Sequence, residues 1–378
     1  MNRSRRHFLQ STATGATLMP LLMSMDVDYC EAASKPVADL SMGFPKNAVR
    51  LNWNENTLGP SPLAIEGALE GLKDSYRYAL GGLLNPYIAA HHDIEEDWIL
   101  MGTGSTELQR LAPATHLKPG ANVVSSVETW AGGLRVAKHM GVELRTVPLL
   151  REKSFAYDLD GLLDAVDDKT GMFIMVTPNN PTGTALEYNN LKKIADALPK
   201  QTLLVLDEAY AEYLPEGWKT GIDLLKEGYD RVLVTRTFSK AHGLAGLRCG
   251  YGLGHPDILK TIRHFGCGPA SISIAVFGAV QGALADPEHA VRSRTYVENC
   301  RRYYQKHFSA MGLKTASGVP PFMMVALGDR TADIHAELKN RNIFVGNGKS
   351  WNAPEYLRVS YGREEENAAF FKELKKIL

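Results

Sequence analysis

From about Asp97 to Gly254, short apolar runs alternate with longer amphipathic stretches. WILMG, ANVVSS, VELRTVPL, MFIMVTP, TLLVLDEAY, RVLVTRTF and CGYGLG are each bounded by Gly, Pro, Asn or charged residues, as short buried strands are. Between them, Ser105–Leu117 and Leu186–Leu198 carry helical spacing. Strands alternating with helices predict βαβ units and a mainly parallel, doubly wound sheet covered on both faces. Ligands of such sheets bind beyond the carboxyl ends of the strands. Polar residues collect at those places: Gly102–Thr106 after WIL, Pro178–Gly183 after MFIMVT, Asp207 at the end of TLLVL, and Lys240 after RVLVTRTF.

After Pro287 the texture changes. A long polar helix is predicted over His289–Met311, followed by short strands in PFMMVAL, NIFVG and YLRVS interleaved with helices. This reads as a second, smaller α+β domain. The expected division is residues 34–74 as an N-terminal part of the small domain, 75–286 as the large domain, and 287–378 as the rest of the small one. A chain of 378 residues is long enough for that arrangement.

Residues 1–33 differ from the rest. Ser4-Arg5-Arg6-His7-Phe8-Leu9 is a twin-arginine pattern, followed by a mild apolar run from Ser11 to Met25 and small residues near Cys30-Glu31-Ala32-Ala33. The run is too short and mild to span a membrane. The order of charged, apolar and small-residue zones predicts an export signal and a periplasmic protein. Forty-two basic and 42 acidic residues cancel, and no basic tract is present. Neither nucleic acid nor a stable membrane association is expected. The four cysteines, Cys30, Cys249, Cys267 and Cys300, form no CxxC and match no metal spacing.

The candidate chemistry centres on RTFSKAHGLAGLRCGY, Arg236–Tyr251. A lysine alone in a loop is usually a solvated charge. Lys240 follows Ser239 and precedes Arg248 across a Gly-rich turn, which suits an anion site. Gly104, Ser105 and Thr106 follow a strand and open a helix, where backbone N–H groups and hydroxyls can hold a phosphate; a plain helix cap would look the same. Asp207 could be an ordinary strand-end carboxylate, and Asn180 in TPNNPTG a turn residue. Taken together they suit pyridoxal 5′-phosphate. That cofactor needs a lysine for its Schiff base, a phosphate cup, a carboxylate for its pyridine nitrogen, and donors such as Asn180 and Tyr210 for its phenolic oxygen.

RTFSKAHGLAGLRCGY resembles the Schiff-base motif of fold-type I, pyridoxal-phosphate-dependent aminotransferases, and most of all their histidinol-phosphate aminotransferase branch. LNWNENTLGPSP, GTGSTELQRL, PNNPTG, DEAY and YLRVSYGREEEN are similar to that branch's other motifs, so the resemblance runs from about Leu51 to Ala369. It implies a large domain with a mostly parallel sheet plus a smaller α+β domain. It implies that Lys240 forms the aldimine and moves the proton, that Asp207 holds the pyridine nitrogen protonated, and that Asn180 and Tyr210 bond the phenolic oxygen. Trp130 would stack on the ring. Gly104, Ser105, Thr106, Thr237, Ser239 and Arg248 would bind phosphate, and Arg358 the substrate α-carboxylate. Tyr78 would reach a neighbouring subunit's phosphate in a homodimer with shared sites, and the Asn180–Pro181 bond would be cis. The substrates implied are an amino acid and a 2-oxo acid.

The departures fall on the substrate side. Thr57-Leu58 stands where the branch usually has Pro-Tyr, Gly346 where it has an arginine, and Pro321 where it has an asparagine; YALGG lacks a customary proline. Losing a tyrosine and an arginine removes charge-assisted bonds of about 1.5–3 kcal/mol each, so histidinol phosphate is not the expected substrate. His242 reads as a satisfied structural histidine, His91-His92 as a surface pair, and Lys349 as a weak candidate contact for an acidic substrate. A lyase, decarboxylase or racemase on the same fold is the alternative, and a cofactor-binding protein without turnover is a third.

Overall fold

The computed structural model describes residues 42–79, 82–266, 268 and 270–378. The twin-arginine segment, Cys30 and Cys267 lie outside them. Residues up to Ala48 form one unit and Val49–Leu378 the other. Among the described residues, every strand and helix belongs to the second.

Two sheets organise it. The larger is built from β2 (Ile99–Gly102), β3 (Asn122–Ser126), β4 (Glu143–Val147), β5 (Thr170–Val176), β6 (Leu203–Asp207), β7 (Val232–Thr237) and β8 (Gly250–Gly254). Their order across the sheet is β2-β8-β7-β6-β5-β3-β4. The pairs among β3 to β7 are parallel, while β8 runs antiparallel to both β2 and β7. The smaller sheet has the order β1-β11-β12-β10-β9, from β1 (Val49–Leu51), β9 (Thr315–Ser317), β10 (Phe322–Ala326), β11 (Ile343–Asn347) and β12 (Tyr356–Ser360). β1 therefore joins a sheet whose other strands all lie beyond residue 314, pairing parallel with β11.

The alternation of side chains explains the central strands. Val124, Phe173, Met175, Leu204, Leu206, Val232 and Val234 face one apolar layer, and Val123, Met172, Ile174, Leu203, Val205 and Leu233 face another. Successive residues point to opposite faces, and helices cover both, so the runs are apolar throughout and not alternating. A third core lies between the smaller sheet and helices Pro287–Ala310, Thr331–Asn340 and Glu364–Ile377.

Helix Pro62–Lys73 packs on helix Ile274–Leu284 through glycines. A Cβ on Gly67 would sit 2.1 Å from the Gly278 carbonyl oxygen, and one on Gly282 only 2.0 Å from that of Leu63. The same helix exposes Leu63, beside this contact, and Ile65, Leu69 and Leu72 on the side turned away from it.

Candidate active site

The parallel strands end along one edge of the larger sheet, and the reversed β8 begins there. The segments after β2, β3, β5, β6 and β7 thus meet the turn that enters β8. Asp207 closes β6, buried among apolar strand residues. The Ala209 N–H donates to its Oδ1 at 3.2 Å, and the Gln109 amide lies against the carboxylate. Burial raises its pKa to about 6, against the pull of these donors and of Lys240.

Lys240 stands just past β7. Its Nζ donates to the Trp53 carbonyl at 2.9 Å and lies 5.8 Å from the centre of the Tyr210 ring. The side chain is half-buried by area, but protein surrounds the amine, and that desolvation with the charges of Arg358 and Arg248 lowers its pKa to about 8. Tyr210 is buried, with its hydroxyl accepting from Asn54 Nδ2 at 2.8 Å.

Arg358, in β12, is a buried guanidinium that forms no ion pair with a described residue. It donates from Nη1 to Asn180 Oδ1 at 2.6 Å and from Nη2 to the Asn52 carbonyl; its Nε has no partner among the described residues. The rings of Trp351 and Phe322 flank it, with centres 4.4 and 5.4 Å from Cζ. Burial lowers its pKa to about 10. Such a group calls for an incoming anion. The Asn180–Pro181 bond is cis, as expected, and so is Thr177–Pro178.

The other end of the site is glycine-lined. Gly104, at φ 82°, caps helix Ser105–His116, and a Cβ there would be 2.5 Å from Arg248 Nη2. One on Gly250 would be 2.3 Å from the Ser105 backbone nitrogen. Thr237 Oγ1 pairs with Ser239 Oγ at 2.9 Å, and Arg248 Nη1 donates to the same Ser239 Oγ at 3.3 Å. Thr106 lies half-buried in the helix's first turn. Trp130, after β3, donates from Nε1 to Gln109 Oε1 at 3.1 Å, and Gln109 Nε2 donates to Thr235 Oγ1.

Gly104, Ser105, Thr237, Ser239 and Arg248 gather at this end, and Asn180, Tyr210, Lys240 and Arg358 at the other, with Asp207 and Trp130 held through Gln109. Tyr78 is apart from them and 90% exposed. Gln109 and Asn54 do not stand out in the sequence; each lies inside a motif that is recognisable only as a whole. Two expectations need correction. His242 is buried on Phe238 with Nδ1 lacking a partner among the described residues, so it is not a satisfied histidine. His92 is no surface residue: it is half-buried and its Nε2 lies 2.7 Å from the Tyr251 hydroxyl. Lys349 is exposed, and Cys249 and Cys300 are buried free thiols.

These residues fit pyridoxal phosphate. A buried carboxylate with only neutral donors against it suits a protonated ring nitrogen, and a helix start that no Cβ could enter suits a phosphate. Fold and site define an enzyme that works through this cofactor. The chain belongs to the aminotransferase class I and II family, whose profile matches residues 50–374. It is 34% identical over 357 residues to a histidinol-phosphate aminotransferase of Pseudomonas fluorescens, covering 91% of this chain and 93% of that one. Another, from Symbiobacterium thermophilum, is 33% identical over 348 residues, with 91% and 94% covered. The solved structure of histidinol-phosphate aminotransferase from Sinorhizobium meliloti in complex with pyridoxal-5′-phosphate matches with a TM-score of 0.81 at 26% identity, covering 92% of this chain and 97% of that one. The protein is a pyridoxal-phosphate-dependent aminotransferase.

Proposed function

We propose that the enzyme moves the amino group of a free amino acid to a 2-oxo acid, and that histidinol phosphate is not its donor. The observation that carries this is Arg358: a buried guanidinium paired with no described carboxylate, close enough to Lys240 for its charge to bear on the amine. It suits an α-carboxylate held by a bidentate clamp. Thr57, Leu58 and Gly346, none of them able to supply a cation or phenol, stand where a phosphate ester would need such groups.

Pyridoxal phosphate, when bound, supplies an electron-withdrawing ring that acidifies the Cα–H of the joined amino acid. Asp207 keeps the proton on the ring nitrogen by its opposite charge. Lys240 Nζ, freed once the amino acid has taken its place, would take up the Cα proton and deliver it to the former aldehyde carbon of the cofactor, the transfer that an exchange of the amino group requires. Asn180 has its Oδ1 engaged by Arg358, which leaves its Nδ2–H to donate to the phenolic oxygen beside Tyr210. Gly104, Ser105, Thr106, Thr237, Ser239 and Arg248 hold the phosphate. Arg358, by fixing the carboxylate, disfavours its loss and so favours transfer over decarboxylation.

The test is to add amino acids one at a time to the loaded enzyme and follow the cofactor absorbance. One or more amino acids should discharge the visible band, and a 2-oxo acid should restore it. Discharge by histidinol phosphate alone would overturn the reading.

The assembly belongs to the same proposal. The outward side chains of Ile65, Leu69 and Leu72, with the exposed Tyr76 and Tyr78 that follow, are apolar surface of the kind that marks an interface, and they support a homodimer in which Tyr78 serves the partner's site. Light scattering on the purified chain checks it. Export is supported by Arg5-Arg6 and the apolar run Ser11–Met25; a reporter fused behind residues 1–33 should reach the periplasm, and an Arg5→Lys/Arg6→Lys version should not.

A further inference from the structure

Position 346 and the ring of Trp351 compete for the same space. Gly346 lies opposite Arg358 in the antiparallel β11–β12 ladder, so a side chain there would stand beside the guanidinium stem on the same face. A Cβ at 346 would already be 3.2 Å from Trp351 Cη2 and 3.3 Å from Arg358 Cβ. Anything longer would have to enter the volume of the indole. That indole is placed by a short turn, Gly348–Trp351, whose start is capped by Asn347 Oδ1 accepting from the Lys349 N–H, and which ends on Asn352 at φ 56°. Arg151 ties the turn down by donating to the Asn352 carbonyl at 2.7 Å.

The cationic groups that act on Lys240 are Arg358 and Arg248, which sit at opposite ends of the site. The acidic groups acting on it are Asp207 and Glu55, the latter in a 2.5 Å ion pair with Arg50. With Arg358 taken by the α-carboxylate, a second anion would meet the indole of Trp351 at this wall. A neutral ring or branched chain would meet the Trp351 face.

We propose that Trp351, admitted by Gly346, is a specificity-determining residue: it selects amino acids with uncharged aromatic or apolar side chains and shuts out a second anionic group. This rests on the amino-acid reading of the site above. Stacking between two rings contributes about 0.5–1.5 kcal/mol beyond area burial, which sets the expected effect at about two- to twelvefold in binding.

The test uses the loaded enzyme and two carboxylates that cannot react, 3-phenylpropionate and succinate, titrated by calorimetry. Wild type should bind 3-phenylpropionate more tightly. Trp351→Ala should weaken that binding two- to twelvefold and bind succinate more tightly than wild type, and Trp351→Phe should reverse most of both changes. The double variant Gly346→Arg/Trp351→Ala should turn the preference toward succinate. An unchanged ratio of the two dissociation constants in Trp351→Ala would show that the indole only props Arg358, and would overturn the inference. So would tighter binding of succinate by wild type, which leaves the amino-acid reading standing. If neither carboxylate binds and histidinol phosphate does, that reading fails and takes this inference with it.

Discussion

Lys240 and Asp207 are shifted toward neutrality by the same cause, burial, and the consequences have opposite signs. The Lys240 amine, lowered to about 8, is protonated below that value and nucleophilic above it. Uptake of pyridoxal phosphate by the cofactor-free enzyme should therefore accelerate as pH rises through about 8. Arg358→Gln removes a positive charge that helps to lower the lysine, so the midpoint should move upward; stopped-flow absorbance measures both, and an unmoved midpoint would separate the two side chains. Asp207 is raised from 3.8 to about 6. Between those values the folded chain binds the extra proton, so this group's contribution to stability is lost as pH rises through about 6. At pH 8 the cofactor-free Asp207→Asn variant should melt no lower than wild type. Its affinity for the cofactor should nonetheless fall about tenfold to a hundredfold, the worth of a charge-assisted hydrogen bond. Melting scans and cofactor titration read the two effects separately.

Among the elements, β6 and β7 carry the most exacting contact. Arg236 on β7 donates from Nε and Nη2 to Glu208 Oε2 at 2.9 and 2.7 Å, with Nη1 on Glu212 and Nη2 also on Thr220; Glu208 Oε1 accepts from the Gly221 N–H at 2.6 Å. Arg236 is 8% and Glu208 1% exposed. Burial alone would push the guanidinium down, and the two carboxylates more than reverse it. Arg236→Met should cost about 3–5 kcal/mol in urea unfolding because it strands Glu208, and adding Glu208→Gln should recover part of that. The strands themselves are legible in the sequence because their apolar runs are short and sharply bounded. So are helix ends: the prediction of Ser105–Leu117 meets Ser105–His116, and His289–Met311 meets Pro287–Ala310. The reversed direction of β8 is not legible, since CGYGLG carries no mark of its sense along the sheet. Gln109 and Asn54 escape notice for a related reason. A lone amide acquires meaning only from partners 21 to 156 positions away, and nothing local announces them. The indole of Trp351 is hidden likewise, although the glycine that makes room for it is visible as a departure.

For the whole molecule, the glycine contact between helices Pro62–Lys73 and Ile274–Leu284 matters beyond its own packing. It sets how far Ile65, Leu69 and Leu72 stand out from the surface. Gly278→Leu would drive a side chain into the Gly67 carbonyl, where even a Cβ lies 1.9 Å away. Overpacking of this kind costs about 1–3 kcal/mol or more. The variant should melt earlier and, on the homodimer reading, dissociate at concentrations where wild type stays paired; light scattering over a dilution series checks it.

The reversed strand has one more effect. Had β8 run parallel to β7, a crossover of a dozen or more residues would separate Lys240 from Arg248. As it runs, seven residues, 241–247, join them. On the proposed roles, one loop then grips both the aldehyde end and the phosphate end of the same small molecule, and works as a ruler cut to its length. An aldehyde lacking the phosphate reaches only one mark on that ruler, so the loop tells the activated vitamin from its unphosphorylated form before any chemistry begins.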